Sequence, residues 1–114
     1  MTLIYKILPV GLWRAAEAAG SFVGAPVDLA DGFIHFSTAG QTRETAAKHF
    51  AGQADLLLVA VEAEALGPAL KWEVSRGGDL FPHLYAPLPT TAAVSVAAIP
   101  MAADGRHDFT GLLP

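Results

Sequence analysis

Apolar and polar positions along the chain fall into short blocks whose period changes from block to block. Residues 3–7, LIYKI, carry β-branched and aromatic side chains in a strand-like alternation. Pro9 suits the first turn of a helix, and the pattern predicts one over Val10–Ala19, with Leu12, Trp13 and Ala16 on one face and Gly20 at its end. Residues 24–31, GAPVDLAD, read as a loop with a short turn, and GFIHF at 32–36 reads as the next strand. Thr38 and Gln41 stand at capping-box spacing, which predicts a helix running to His49 or Phe50 and closed by Gly52.

The second half is richer in strand signals. DLLLVAVEA at 55–63 is a continuous apolar run and predicts a central strand buried on both faces. LKWEVS at 70–75 alternates, and Gly77-Gly78 marks a turn. FPHLYAPLP at 81–89 carries Pro82, Pro87 and Pro89, so it is expected as a constrained extended segment and not as a central strand. AAVSVAAI at 92–99 is the last strand, and the tail from Pro100 is polar apart from Phe109, Leu112 and Leu113. The order β-α-β-α-β-β-loop-β, with helices early and strands late, predicts an α+β fold. The length of 114 residues suits a single domain, with a core over about 3–99 and a tail over 100–114.

Composition narrows the functional classes. Hydrophobic residues make up 53% of the chain, but 22 residues are alanine, so the core must rest on few large side chains, Trp13 and Trp72 among them. A net charge of −4 with no basic run argues against a nucleic-acid partner. No apolar stretch approaches the roughly 20 residues that a membrane-spanning helix needs. Cysteine is absent, which excludes disulfides, thiolate metal sites and a cysteine nucleophile. The chain reads as a soluble cytoplasmic protein.

Two histidines stand among bulky apolar neighbours. His35 alternates with Ile34 and Phe36, so it faces the other way, together with Phe33 and Ser37. The helix start at Ser37 and Thr38 suits polar ligand groups. His83 and Tyr85 share one side of an extended segment held by prolines. Glu73 is either a solvated strand residue or a carboxylate facing a cleft, and each histidine has the alternative of a core residue bonded to a backbone carbonyl. His49 near a helix C-terminus suits the dipole there, and His107 is expected exposed in the tail. His35, His83 and Glu73 have the residue types of a two-histidine, one-carboxylate metal site but match no local spacing motif, so no metal is expected. Phosphate-loop, nucleophile-elbow and dinucleotide motifs are absent.

In one order, IYKI, Trp13, GFIHFS, Gln41, WE at 72–73 and FPHLYAPL before a valine-bearing strand resemble the bacterial domain of unknown function 952 family, over about residues 3–99. The resemblance implies an ADP-ribosyltransferase-like fold: two small β-sheets around a cleft, two early helices, and NAD as the substrate of related enzymes. It places His35 on the adenine-side ribose and His83 or Tyr85 beside the nicotinamide. It asks for a late-strand glutamate that AAVSVAAI lacks, leaving Glu73 as the nearby catalytic acid. The expected ligand-binding set is His35, Ser37, Thr38, His83 and Tyr85. The expected partner is a small molecule of nucleotide type, and the oligomeric state stays open. Three readings follow: an ADP-ribose transferase, a small-ligand-binding module without the chemistry, and a metal-dependent hydrolase. The missing acid favours the second over the first.

Overall fold

The computed structural model describes the backbone of residues 1–114 and every side chain but that of Arg76. Strand β1 (Leu3–Pro9) runs directly into helix α1 (Val10–Ala19), and Pro9 stands at the N-cap. Gly20 ends α1 at φ +84°, a conformation open to glycine, and its N–H closes on the Ala16 and Glu17 carbonyls. Then follow β2 (Ser21–Phe22), α2 (Pro26–Asp31), β3 (Ile34–His35), β4 (Ser37–Thr38) and α3 (Ala39–His49). The rest is β5 (Leu56–Glu62), β6 (Leu70–Val74), β7 (Leu80–Leu84), β8 (Leu88–Pro89) and β9 (Ala93–Ala98), with short 3-10 turns between them. The fold is α+β, built from small antiparallel sheets and few helices.

Four strands form one sheet in the order β4-β1-β5-β9, and three form another in the order β3-β7-β6. Side chains from the two faces of the larger sheet enter two cores. Ile4, Leu8, Leu57, Val59 and Val61 pack with Trp13, Phe22, Ile34, Phe36 and Leu84. Tyr5, Ile7, Leu56, Leu58 and Ala60 pack with Ala46 of α3, Ile99 and Phe109 of the tail. This double burial explains the unbroken apolar run of β5, which lies inside its sheet as expected.

The α1 boundaries and the start of α3 follow the sequence pattern. Thr38 Oγ1 accepts from Gln41 N at 3.2 Å, and Gln41 Oε1 accepts from Thr38 N at 3.0 Å, closing the capping box. Five other expectations are corrected. The stretch 24–31 is not only loop: α2 forms within it, with Pro26 at its first position, and brings the α-helices to three among the described residues where two were expected. GFIHF is not one strand. It breaks at the buried Phe36, whose N–H donates to the Pro82 carbonyl at 3.0 Å, so that His35 ends one sheet and Ser37 begins the other.

The proline-bearing segment 81–89 contributes a central strand after all, because β7 lies between β3 and β6. A residue's N–H and C=O point to the same side of a strand. The Pro82 carbonyl faces Phe36, beyond the end of β3, so the missing N–H costs no ladder bond with β6. Trp72, expected in the core, is 42% exposed. It does point away from Glu73, but β6 is an edge strand and the core reaches no further than Leu70 and Leu84 on that face. His107 is half-buried, not exposed, and its Nε2 meets the Gln53 carbonyl oxygen at 2.7 Å.

Candidate functional site

His35 and His83 are direct cross-strand partners in the β3–β7 pair. Residues opposite each other in an antiparallel pair project to the same face, and the two rings accordingly meet edge-on with centroids 5.5 Å apart. Phe33 lies two residues before His35 and Tyr85 two residues after His83, so alternation turns both to this face. The Phe33 ring stacks on His83 at 4.1 Å and contacts His35 at 4.5 Å and Tyr85 at 5.2 Å.

Each histidine is held through Nδ1 by a carboxylate. Glu73 of β6 meets His83 Nδ1 at 2.8 Å, and the same oxygen, Oε1, accepts from the Tyr85 hydroxyl at 2.7 Å. The hydrogen bonds from Tyr85 and His83 hold the Glu73 carboxyl below its ordinary range, while acceptance by Glu73 pushes the Tyr85 phenol up. His35 Nδ1 meets Asp28 Oδ1 at 2.6 Å, and His35 Nε2 meets Asp31 Oδ2 at 2.9 Å. An ionised carboxylate only accepts, so in each of these contacts it is the ring nitrogen that donates when it carries a proton.

Asp28 is the centre of this arrangement and was not among the residues expected. It is 2% exposed and gathers Lys6 Nζ at 2.9 Å, Ala25 N at 2.8 Å, His35 N at 3.1 Å and His35 Nδ1. The space for it depends on Gly24, at φ +131°, where an added Cβ would lie 2.8 Å from the Asp28 Cβ. Burial pushes the Asp28 carboxyl up, but the His35 hydrogen bond, the Lys6 charge and the further bonds from Ala25 N and Lys6 outweigh it and bring it from 3.8 to about 2. Burial lowers the Lys6 ammonium below its ordinary value, against the pull of Asp28 in the other direction. One signal for this pair was present in the sequence. Lys6 stands between Ile4 and Leu8 on the same face of β1, a charged group amid an apolar strand that needs a buried counter-ion.

A pH dependence follows from the depressed Asp28 carboxyl. Between the unfolded value of 3.8 and the folded value of about 2, the unfolded chain binds the proton more readily. The stabilisation is therefore complete above about pH 4 and lost as pH falls through about 2, amounting to about 2 kcal/mol. Urea midpoints measured from pH 5 down to pH 2 should fall across this window, and the Asp28 carboxyl carbon followed by NMR should titrate near its lower end. A carboxyl titrating near 4 in the folded protein would contradict the arrangement.

A cavity of about 660 Å³ opens between the two sheets. Its polar lining includes Lys6, Asp31, His35, Ser37 and His83, with Thr45, His49, Gln53 and Ser75 further round, and Tyr5, Phe36, Phe50 and Phe81 supply its aromatic wall. Ser37 is buried, with its Oγ 2.9 Å from Thr45 Oγ1. The expected residues thus separate into two groups. His35, Ser37 and His83 line the cavity. Thr38 does not, since its hydroxyl is engaged in capping α3. Tyr85 lines a smaller hollow of about 270 Å³ shared with Asp28 and Phe33, and Glu73 reaches the cavity only through His83. Among the described residues no three histidine or carboxylate groups converge in a way that could hold a metal ion, and no helix is long and apolar enough to cross a membrane.

Residues 7–96 match the model of the family described as "Protein of unknown function (DUF952)". Among solved structures, the crystal structure of protein CC0527 from Caulobacter crescentus is 56% identical, with 97% of each chain covered and a TM-score of 0.94. The solution NMR structure of the same protein is 57% identical over 99% of this chain and 97% of that one, with a TM-score of 0.89. No curated protein matches the chain.

Proposed function

The chain belongs to the DUF952 family, and from that premise we propose that the cavity between its two sheets binds a ribose-bearing nucleotide of the NAD or ADP-ribose class, as in the ADP-ribosyltransferase-like fold that the sequence resembles. The observation that carries this reading is the pair of carboxylate-held histidines, 5.5 Å apart, on the polar wall of the cavity. Holding Nδ1 orients each ring, so that Nε2 is the remaining hydrogen-bonding edge of His83, while Nε2 of His35 meets Asp31 at the cavity wall. Such fixed polar tips suit ribose hydroxyls, and the aromatic wall suits a planar base.

The same geometry favours binding over transfer. Glu73 serves as a positioning residue for His83 and Tyr85, since it does not line the cavity. β9 carries no acid that would steady a developing positive charge on the sugar. Thr38 supports the site by starting α3, and Tyr85 by sharing Glu73 with His83.

Calorimetric titration with NAD and with ADP-ribose tests the proposal. Saturable binding is expected, weakened about tenfold or more in His35→Ala and in His83→Ala, which corresponds to about 1.4 kcal/mol. Nicotinamide should not be released from NAD. The absence of binding at millimolar ligand, or unchanged affinity in His35→Ala, would remove the nucleotide reading, whereas nicotinamide release would establish transfer chemistry in its place.

A further inference from the structure

Strand β9 forms one edge of the four-stranded sheet, and no strand lies on its side away from β5. The Ile99 N–H donates to the Leu56 carbonyl, so these two residues are a hydrogen-bonded pair of the antiparallel ladder. The register continues through Leu57 with Ala98, Leu58 with Ala97 and Val59 with Val96. Bonded and non-bonded pairs alternate along such a ladder. Ala97 therefore turns its N–H and C=O to β5, while Val96 and Ala98 turn theirs to the open side. The irregularity of this pairing falls at Ala60 and Val61 and leaves the stretch from Ser95 to Ala98 regular.

Open edges normally carry a device against pairing. β3 and β4 are two residues long, as are both strands of the β2-β8 pair. β6 sets Lys71 and Glu73 along its edge. β9 has no such device. Its six residues, AVSVAA, hold no charge and no proline, and Val94 and Val96 are 53% and 38% exposed.

We propose that β9 pairs antiparallel with β9 of a second copy of this chain, about a two-fold axis at Val96, and joins the two four-stranded sheets into one. The strand itself specifies this occupant. With Val96 on the axis, its outward N–H donates to the Val96 carbonyl of the second copy, and the symmetry makes the reciprocal bond at once. Ala98 then lies opposite Val94 of the second copy and Ala97 opposite Ser95, so no charged side chain meets its like. A net charge of −4 works against self-association, and β9 brings the copies together along a strand without charge. Two six-residue edges are small beside the roughly 800 Å² per partner of a standard interface, so the dimer is weak, with a dissociation constant of about 10–100 µM. No residue of β9 lines the cavity between the sheets, so the pairing neither needs nor blocks a ligand there.

Sedimentation velocity on the full chain, from about 5 µM to about 1 mM, tests the pairing. The wild type should pass from monomer to dimer across this range. Val96→Lys and Val96→Glu should each stay monomeric, because like charges then meet on the axis, and an equal mixture of the two should associate again. In the wild type, exchange of the Val96 amide hydrogen should slow about fivefold between the dilute and concentrated ends, while that of Ala97, already bonded to β5, should not change. A wild type that remains monomeric throughout overturns the proposal. So do variants that dimerise as the wild type does, or a mixture that fails to associate although each variant keeps the wild-type melting temperature. Should either variant fail to fold, the Val96 amide of the wild type decides: slowing with concentration upholds the pairing, and a constant rate overturns it.

Discussion

Replacing Asp28 by alanine should cost about 3–5 kcal/mol, the loss expected when one partner of a buried ion pair is removed and the other is left without compensation. Lys6 is 7% exposed, and Asp28 is its partner at 2.9 Å. Without Asp28, the Lys6 ammonium either stays charged in an apolar face or gives up its proton, and both states are unfavourable. The N–H groups of Ala25 and His35 lose their acceptor in the same step. A domain typically has 5–15 kcal/mol of stability in all, so the variant should be only marginally folded at room temperature. Urea midpoints supply the measurement, and the double variant Lys6→Met with Asp28→Leu supplies the control. Exchange of a whole buried ion pair for packed apolar groups is often neutral, so the double variant should recover the part of the loss due to the uncompensated Lys6 and keep the part due to the Ala25 and His35 N–H groups. A cost below about 1 kcal/mol for Asp28→Ala would mean that water reaches the pair and that it is not the anchor described above.

The second large effect is expected at Trp13 and not at Trp72. Trp13 is 1% exposed, sits on the inward stripe of α1 and tilts at 56° against Phe22 with centroids 6.3 Å apart. Truncation to alanine should leave a cavity beneath β1 and β5 and cost about 3–5 kcal/mol. For a domain near this length, the melting temperature should fall by more than about 12 °C. Trp72→Ala should stay within about 1 kcal/mol of wild type, because a surface position without a buried partner contributes little. Thermal melts of the two variants side by side decide the matter. Equal losses would mean that Trp72 is covered in solution and that the edge of β6 is not free.

The parts of this fold legible in the sequence are those whose signals are local. Thr38 and Gln41 carry their capping box within one turn, Gly20 ends α1 through its own backbone freedom, and the apolar run of β5 records burial on both faces. What was not legible depends on which strand lies beside which. Pro82 argues against a central strand until its carbonyl is seen to face the end of β3. Trp72 looks like core because alternation specifies a face, but no local pattern tells an edge strand from an inner one.

The candidate site divides along the same line. His35, His83, Tyr85 and Glu73 each stand out by alternation and residue type, and cross-strand register joins them. Asp28 and Asp31 give no such signal, because a six-residue helix with alanine, proline and glycine around it reads as loop. Their contacts arise only when α2 folds back on β1 and β3, across a sequence separation of 22 residues for the bond between Asp28 and Lys6.

The break at Phe36 makes chain length itself a constraint. His35 belongs to the three-stranded sheet and Ser37 to the four-stranded sheet, and a single residue carries the chain from one to the other. Side chains in a strand alternate, so one added or deleted residue here would turn one of these two walls inside out while each sheet could still form by itself. At this joint many identities are tolerable at the middle position provided they are apolar, but no change of count is. Insertions and deletions accumulated over descent should therefore collect elsewhere, for example at the exposed turn 51–54 after α3, and spare the three residues that tie the two sheets together.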